Sequence, residues 1–141
     1  MVSDFIGDGI LAFFGAPSDD RAHAWHAVKT ALEMQGALEA LNVRWEAEGR
    51  SRLSMGIAVN TGSVFAGNIG SPKKKKYAVM GDPVNTVSRM EGQNRELGTA
   101  ILISRATLEA VDGRVTVRER GAVRVKGKAE PVELFELIGK A

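Results

Sequence analysis

Apolar and polar positions divide this chain into one long helical stretch and a series of short strand-like runs. Across residues 21–49, apolar side chains recur every three or four positions, which predicts an amphipathic helix that ends at a glycine. Asp19 or Asp20 is expected to cap this helix. Two apolar runs come before it, at residues 2–6 and 9–14, and a Gly-Asp pair separates them. This arrangement predicts a β-hairpin with Asp8 at its tip.

The rest of the chain alternates short strands with two more helices, which predicts an α+β fold with helices on one face of an antiparallel-rich sheet. Residues 53–60 and 63–69, joined by a Thr-Gly turn, predict a second hairpin. A second helix is expected between a Gly-Asp-Pro turn and Gly98, with Asp82 as its cap and Pro83 as its first residue. The remaining predicted elements are strands at residues 101–104, 115–125 and 132–138, a helix at 105–111, and a lysine-rich loop at 73–76.

Composition and charge narrow the class of protein. The 141 residues are 44% hydrophobic, which suits one globular domain with a buried core. A formal charge of +2 is too small to predict a nucleic-acid partner. The sequence has no cysteine, so disulfides and thiolate metal sites are excluded. No apolar run approaches the length of a membrane span and no signal peptide is evident, so we expect a cytoplasmic protein.

Two polar side chains on the second predicted helix are candidate ligand contacts. Asn85 and Arg89 lie four residues apart and therefore share one face, while Val84, Val87 and Met90 form the apolar stripe. Spacing alone leaves two interpretations open. The pair is either part of a solvated surface, or an amide and a guanidinium that hold a ligand together.

Asp8 and two lysines offer chemistry for metals and phosphates. Asp8 stands in a Gly-Asp-Gly tip, where a carboxylate can reach a Mg²⁺ that keeps water and phosphate ligands. The alternative is that the Asp-Gly pair only provides a type I′ turn. Lys126 and Lys128, in Val-Lys-Gly-Lys, are suited to hold a polyphosphate as point charges, or else they only solvate a turn.

Four blocks of sequence, taken in order, resemble the class III adenylate/guanylate cyclase catalytic domain. They are FIGDGILAFFGAP, MGIAVNTGSVFAGNIG, YAVMGDPVNTVSRME and VKGK, and the resemblance spans residues 2–138. The Gly-Asp-x-Val-Asn-x-x-x-Arg pattern is the most specific part. The resemblance implies a ferredoxin-like α+β fold, the nucleotidyl cyclase fold, that works as a head-to-tail homodimer with shared sites. Such domains convert ATP or GTP to a 3′,5′-cyclic nucleotide and pyrophosphate with two Mg²⁺ or Mn²⁺ ions.

The resemblance also implies a role for each candidate residue. Asp8 matches a metal-binding aspartate, and Lys126 matches the lysine that holds the terminal phosphates. Asn85 matches the residue that orients the ribose, and Arg89 matches the one that stabilises charge on the α-phosphate. Because the family's sites form between protomers, Asp8 of one chain is expected to meet Asn85 and Arg89 of its partner.

One part of the family pattern has no counterpart in this sequence. The family's first metal-binding aspartate lies in a Phe-x-Asp-Ile-x-Gly-Phe-Thr segment that precedes the position of Asp8. We therefore expect the chain to lack the first strand and opening helices, to keep a weakened metal site, and to be inactive alone. Its sheet is expected to expose an edge and an apolar face, so that the chain associates. A regulatory domain is expected upstream in the parent protein.

The base-selecting positions are atypical. Asp4 stands where adenylate cyclases usually carry lysine and suits guanine, whereas Ala78 makes no base hydrogen bond. ATP and GTP both stay open, with a slight preference for ATP from family frequency. Ser54 replaces a phosphate-facing arginine of some members, and Arg52 is the expected substitute. These departures leave open a non-catalytic domain that binds nucleotide or dimerises, whereas the lack of a Gly-Gly-Asp/Glu-Glu-Phe signature disfavours diguanylate cyclase chemistry.

Overall fold

The computed structural model describes residues 1–71 and 74–141. Within them the helices are α1 (His23–Ala47), α2 (Asp82–Leu97) and α3 (Arg105–Ala110). None of these helices is both long enough and apolar enough to cross a membrane. The strands are β1 (Val2–Ile6), β2 (Gly9–Ala12), β3 (Ile57–Val59), β4 (Phe65–Ser71), β5 (Lys74–Met80), β6 (Ile101–Ser104), β7 (Val115–Val123) and β8 (Val132–Lys140).

The centre of the fold is a four-stranded sheet with the strand order β3-β6-β8-β7. β3 runs parallel to β6, and the other two pairs are antiparallel. β6 lies in the interior of this sheet, and all four of its residues are buried, as expected for an Ile-Leu-Ile run covered on both faces. The predicted α+β fold with an antiparallel-rich sheet is therefore confirmed.

Helices cover both faces of this sheet. Because side chains alternate along a strand, Ile101 and Ile103 of β6 point to one face, where they pack with Val28 of α1. Leu102 points to the other face and packs with Met90 of α2. The prediction that the helices lie on one face is wrong, because a central strand that is buried on both sides needs a helix on each.

The predicted first hairpin is confirmed, although its turn differs from the expected type. β1 and β2 pair antiparallel, with Phe5 opposite Ile10. Gly7 and Asp8 form the turn, and of these two only Gly7 has a positive φ, at +59°. A type I′ turn needs positive φ at both central residues, so that assignment is wrong.

The predicted second hairpin is wrong. β3 pairs with β6 instead, and β4 pairs with β5, where Phe65 lies opposite Met80. β5 offers β4 a partner of its own length, seven residues against three for β3. Because β5 begins at Lys74, most of the lysine run predicted as a loop belongs to a strand. Lys73 lies outside the described residues.

Residues 51–56, part of which the apolar pattern predicts as a strand, are held by side chains of α1 rather than by a neighbouring strand. Asn42 donates from Nδ2 to the Leu53 carbonyl at 2.8 Å and accepts the Leu53 N–H at 2.8 Å. Gln35 Nε2 donates to the Met55 carbonyl at 2.7 Å. These bonds satisfy backbone groups that a ladder would otherwise pair. An extended segment held in this way has the same apolar pattern as a strand.

α2 begins one residue earlier than predicted. Its cap is Gly81, whose φ of +135° favours glycine and whose carbonyl accepts the Val84 N–H at 3.1 Å. Asp82 is therefore the first helical residue and not the cap, and its carboxylate lies where a helix N-terminus favours negative charge. Gly98 follows the last turn with a left-handed φ of +69°, as predicted.

Asp20 joins the loop before α1 to the helix. One carboxylate oxygen accepts the Ala22 N–H at 3.0 Å, and the other lies 2.5 Å from Nδ1 of His26. The hydrogen bond with His26 is the main cause that lowers the pKa of Asp20 below its ordinary value of 3.8. Asp20 thus supports the start of α1 from outside the helix, although it is not the predicted cap.

Acid unfolding is expected to depend on Asp20. Because the pKa of Asp20 is lowered in the folded chain, its contribution to the free energy of unfolding is present above 3.8 and is lost as the pH falls through the folded value. Between about pH 5 and about pH 2, the free energy of unfolding of Asp20→Asn should therefore fall less than that of the wild type. Urea titrations across this range measure the difference, with exposed Asp19→Asn as the control that should follow the wild type. Equal falls in the Asp20 variant and the wild type contradict the prediction.

The two outer hairpins leave apolar side chains exposed. Phe5 and Ile10 of the first are 72% and 59% exposed, and Phe65 and Met80 of the second are 64% and 50% exposed. Among the described residues, β6 is the single neighbour of β3, so the other edge of β3 is open. The open edge of β3 agrees with the predicted edge. The four exposed apolar side chains, however, lie on the outer hairpins and not on a face of the main sheet, where the prediction placed them. Association through these surfaces stays a prediction.

Candidate active site

α2 presents a polar face that carries the two candidate catalytic residues. Asn85 and Arg89 lie about one turn apart and both are exposed, whereas Thr86 and Met90 are buried on the side that faces the sheet. The helix contacts β3, β6 and β7, so the main sheet sets its position. In the described part of the chain, neither Asn85 nor Arg89 has a side-chain hydrogen bond or ion pair. A hydrogen-bonding amide and a guanidinium are therefore available side by side on a rigid element.

The two candidate base-selecting residues lie on contacting strands. β1 carries Asp4, β5 carries Ala78, and the two strands touch. Tyr77, next to Ala78, has its ring 5.7 Å from that of Phe13, which follows β2 and helps to hold the first hairpin against β5. Ala78 is buried and offers a methyl surface without a hydrogen bond. Asp4 accepts the Phe5 N–H at 3.0 Å through Oδ1.

Asp8 is exposed at the tip of the first hairpin. It lies between Gly7 and Gly9, so neither neighbour has a side chain that could crowd the carboxylate. Mg²⁺ is commonly held by one or two carboxylates together with substrate phosphates, and Asp8 fits one such ligand position. Across residues 1–71 and 74–141, no group of three or more His, Asp or Glu side chains is arranged to hold a metal ion.

Lys126 lies on an exposed turn between β7 and β8. The Lys128 N–H donates to the Val125 carbonyl at 3.0 Å, and Gly127 has a φ of +88°, so the turn brings both lysines out of the sheet. In the described residues neither lysine has an ion pair. Lys126 therefore keeps its charge available for an anionic ligand.

Within one copy of the chain, the candidates occupy separate places. Asn85 and Arg89 share a face of α2, while Asp8 and Lys126 lie on two different turns. No hydrogen bond or ion pair among the described residues joins any of these four side chains. A single copy therefore holds the parts of a phosphate-binding and metal-binding site without linking them to one another.

The guanidinium of Arg52 is paired with two glutamates of α1, so the expectation that it substitutes for a phosphate-facing arginine is wrong. Its guanidinium donates to Glu46 at 2.6 Å and to Glu39 at 2.7 Å, and both glutamates belong to α1. The hydrogen bond with Glu46, followed by that with Glu39, raises the pKa of Arg52. No local pattern signals this pairing, because the partners lie six and thirteen residues away on another element.

The loop that follows β3 touches the start of α2, a contact that sequence reasoning missed. Asn60 Nδ2 donates to the Pro83 carbonyl at 3.1 Å. A Cβ added at Gly62 would lie 2.6 Å from Cγ of Pro83, so the glycine permits a close approach. The one signal in the sequence is the Asn-Thr-Gly string in the second of the four blocks.

Residues 4–139 match the family described as the adenylate and guanylate cyclase catalytic domain. This chain belongs to that family. Adenylate cyclase 1 of Rhizobium meliloti (strain 1021) is 33% identical to this cyclase-family chain, and the alignment covers 98% of this chain. The guanylyl cyclase Cya2, known from a crystal structure, is 42% identical in sequence to this chain. The two structures superpose with a TM-score of 0.89, and the match covers 100% of this chain and 71% of that one. The adenylyl cyclase CyaB from P. aeruginosa is 29% identical, with a TM-score of 0.84 over 99% of this chain and 72% of that one.

These similarities confirm the cyclase fold and the family predicted from the four sequence blocks. The similar proteins include two adenylate cyclases and a guanylyl cyclase, so similarity alone does not decide between ATP and GTP as the substrate. The cyclase-family chain spans 21% of the Rhizobium meliloti protein, and between 6% and 28% of the first curated relatives that it matches.

Proposed function

We propose that this chain forms the catalytic domain of an enzyme that converts ATP or GTP to a 3′,5′-cyclic nucleotide and pyrophosphate in signal transduction. The observation that carries the proposal is the polar face of α2. Asn85 and Arg89 are exposed side by side on a helix whose other side is fixed in the core, and both side chains are available to a substrate.

In the proposed reaction the ribose 3′-hydroxyl loses its proton to solvent, and its oxygen attacks the α-phosphorus while the bond from that phosphorus to the bridging oxygen breaks. Pyrophosphate leaves with the bridging oxygen and its electron pair. Asn85 orients the ribose, and Arg89 stabilises the negative charge that develops on the α-phosphate oxygens, where its planar fork of donors fits. Lys126 holds the terminal phosphates as a point charge from its exposed turn.

Asp8 is the proposed ligand for a divalent cation. When bound, two Mg²⁺ or Mn²⁺ ions lower the pKa of the attacking hydroxyl and neutralise charge on the phosphates. Asp8 supplies one carboxylate for this purpose, from an exposed turn between two glycines.

The proposed active unit is a homodimer in which Asp8 of one copy faces Asn85 and Arg89 of the other. Two observations on the described residues support it: no hydrogen bond or ion pair joins Asp8 to α2 within one copy, and the outer hairpins expose apolar residues such as Phe5 and Phe65. The greater length of the relatives supports an upstream regulatory domain in the whole protein. A cytoplasmic location is proposed because the triphosphates are made there.

ATP and GTP stay as alternative substrates. The Asp4 carboxylate suits guanine, since it can accept from N1–H and the N2 amino group, whereas the unprotonated N1 of adenine would meet a second acceptor. Ala78 contributes shape alone, because its buried methyl group forms no hydrogen bond. The same two residues favour the second candidate function, a non-catalytic domain that binds nucleotide or dimerises.

Incubating the full-length gene product with Mn²⁺ and each triphosphate tests the proposal. The expected result is a cyclic mononucleotide and an equal amount of pyrophosphate from at least one triphosphate, identified by mass spectrometry and a pyrophosphate assay. A folded dimer that binds a triphosphate and yields no cyclic product from either would overturn the enzyme proposal in favour of the non-catalytic domain.

A further inference from the structure

The loop after β3 makes two direct contacts with the first turn of α2. Asn60 donates from Nδ2 to the Pro83 carbonyl at 3.1 Å. Two residues later, Gly62 lies so close to the Pro83 ring that a Cβ at this position would be 2.6 Å from Cγ and 3.1 Å from Cβ of the proline. A contact below 3.0 Å requires a shift, and the proline ring has little freedom to give way. The loop therefore limits where α2 can begin.

The loop is itself anchored to the main sheet through buried hydroxyl groups. Thr107 of α3 is fully buried, and its Oγ1 donates to the Val59 carbonyl at 3.2 Å. With that proton used, Thr107 Oγ1 accepts from Thr61 at 2.9 Å and from Ser104 at 3.2 Å. Ser104 Oγ in turn accepts the Thr107 N–H at 3.3 Å, which caps α3. Thr61, which lies between Asn60 and Gly62, is thus bonded to α3 through Thr107, and that hydroxyl links it in turn to β3 and β6.

From this chain of contacts we propose that Asn60 and Gly62 are positioning residues that fix the first turn of α2 and thereby aim Asn85 and Arg89. The inference rests on the proposed function, because it assigns those two α2 side chains to the substrate. Asn85 follows Pro83 by two residues, so a displacement of the proline carries directly to the amide. Small displacements of a catalytic group are costly, since an error of about 1 Å can lower a rate by about 100-fold.

Asn60→Asp and Gly62→Ala, made in the full-length gene product, test the two contacts separately. The first variant keeps the size of the side chain but places an acceptor against the Pro83 carbonyl, and the added methyl of the second presses on the proline ring. Each is expected to lower kcat by about 10-fold to 100-fold while KM for the triphosphate changes less, because alignment in the transition state suffers more than ground-state binding. Asn60→His should recover most of the rate, since Nδ1 of histidine is as many bonds from Cβ as Nδ2 of asparagine.

Gly92→Ala is the matched control. Gly92 lies on α2 itself, and a Cβ there would meet nothing within 4 Å, so this variant should keep wild-type kcat. Circular dichroism establishes that each variant is folded. If Gly62→Ala unfolds, Asn60→Asp still decides the question; if that variant unfolds too, Asn60→Ala removes the donor without adding a charge.

A second measurement, independent of turnover, separates this inference from the proposed function. In amide ¹H–¹⁵N spectra, the signals of residue 82 and residues 84–86 should shift in Asn60→Asp and Gly62→Ala, and those of residues 93–97 should shift less. If the wild type makes no cyclic nucleotide, the proposed function is overturned. Shifts at these residues would still support the positioning of α2. An active wild type whose folded variants keep both their kcat and these amide positions would overturn the positioning role.

Discussion

In the full-length gene product, replacing Arg89 with alanine is expected to lower kcat for cyclic nucleotide formation by about 10²-fold to 10³-fold, the loss typical when a donor to developing charge is removed. Arg89 is exposed on α2 and has no ion pair among the described residues, so the substitution breaks no described contact that stabilises the fold. The thermal midpoint should therefore stay close to that of the wild type while the rate falls. Arg89→Lys keeps the charge but loses the planar fork, and it should recover only part of the rate.

Arg95→Ala provides the control for this experiment. Arg95 is also an exposed arginine of α2, but it lies in the last turn, away from the end of the helix that carries Asn85. It should keep wild-type kcat in the same assay. Equal activity in Arg89→Ala and Arg95→Ala would contradict the role proposed for Arg89.

Much of the fold and the family is predictable from the sequence because the informative signals are local. β6 is a short Ile-Leu-Ile run, and all its residues are buried as such a run predicts. Gly98 ends α2 in a left-handed conformation that glycine favours. Likewise, Asn85 and Arg89 share a face because any residues four apart on a helix do so. These features need only the residue and its near neighbours.

The features that could not be predicted depend on partners distant in the sequence. The pattern of residues 63–69 is that of a strand, but nothing in it selects β5 over β3 as its neighbour. Arg52 is expected near phosphates from its place in the sequence, whereas Glu39 and Glu46 of α1 bind its guanidinium. The role of Gly62 is also invisible in a Thr-Gly string, because the close approach that requires it is to Pro83. In each case tertiary packing decides between arrangements that local chemistry allows equally.

The shared site makes a second prediction with a large effect. Asp8→Ala and Arg89→Ala should each abolish most activity alone, since every site in either homodimer lacks one essential group. Coexpressed, the two variants should recover activity. In a mixed dimer one site combines the intact Asp8 of one copy with the intact Arg89 of the other, and the second site carries both substitutions. Half of randomly paired dimers are mixed and each has one working site of two, so about a quarter of wild-type activity should return.

Coexpression of Asp8→Ala with the Asp8→Ala/Arg89→Ala double variant is the control, because no pairing of those chains contains an intact site. The decisive measurement is therefore the cyclase rate of the mixed Asp8→Ala and Arg89→Ala preparation at matched protein concentration. A site shared between two copies predicts recovery to about a quarter of the wild-type rate, with none in the control. A mixed preparation that shows only the sum of the two variants' own rates would contradict a site built from Asp8 of one copy and α2 of the other.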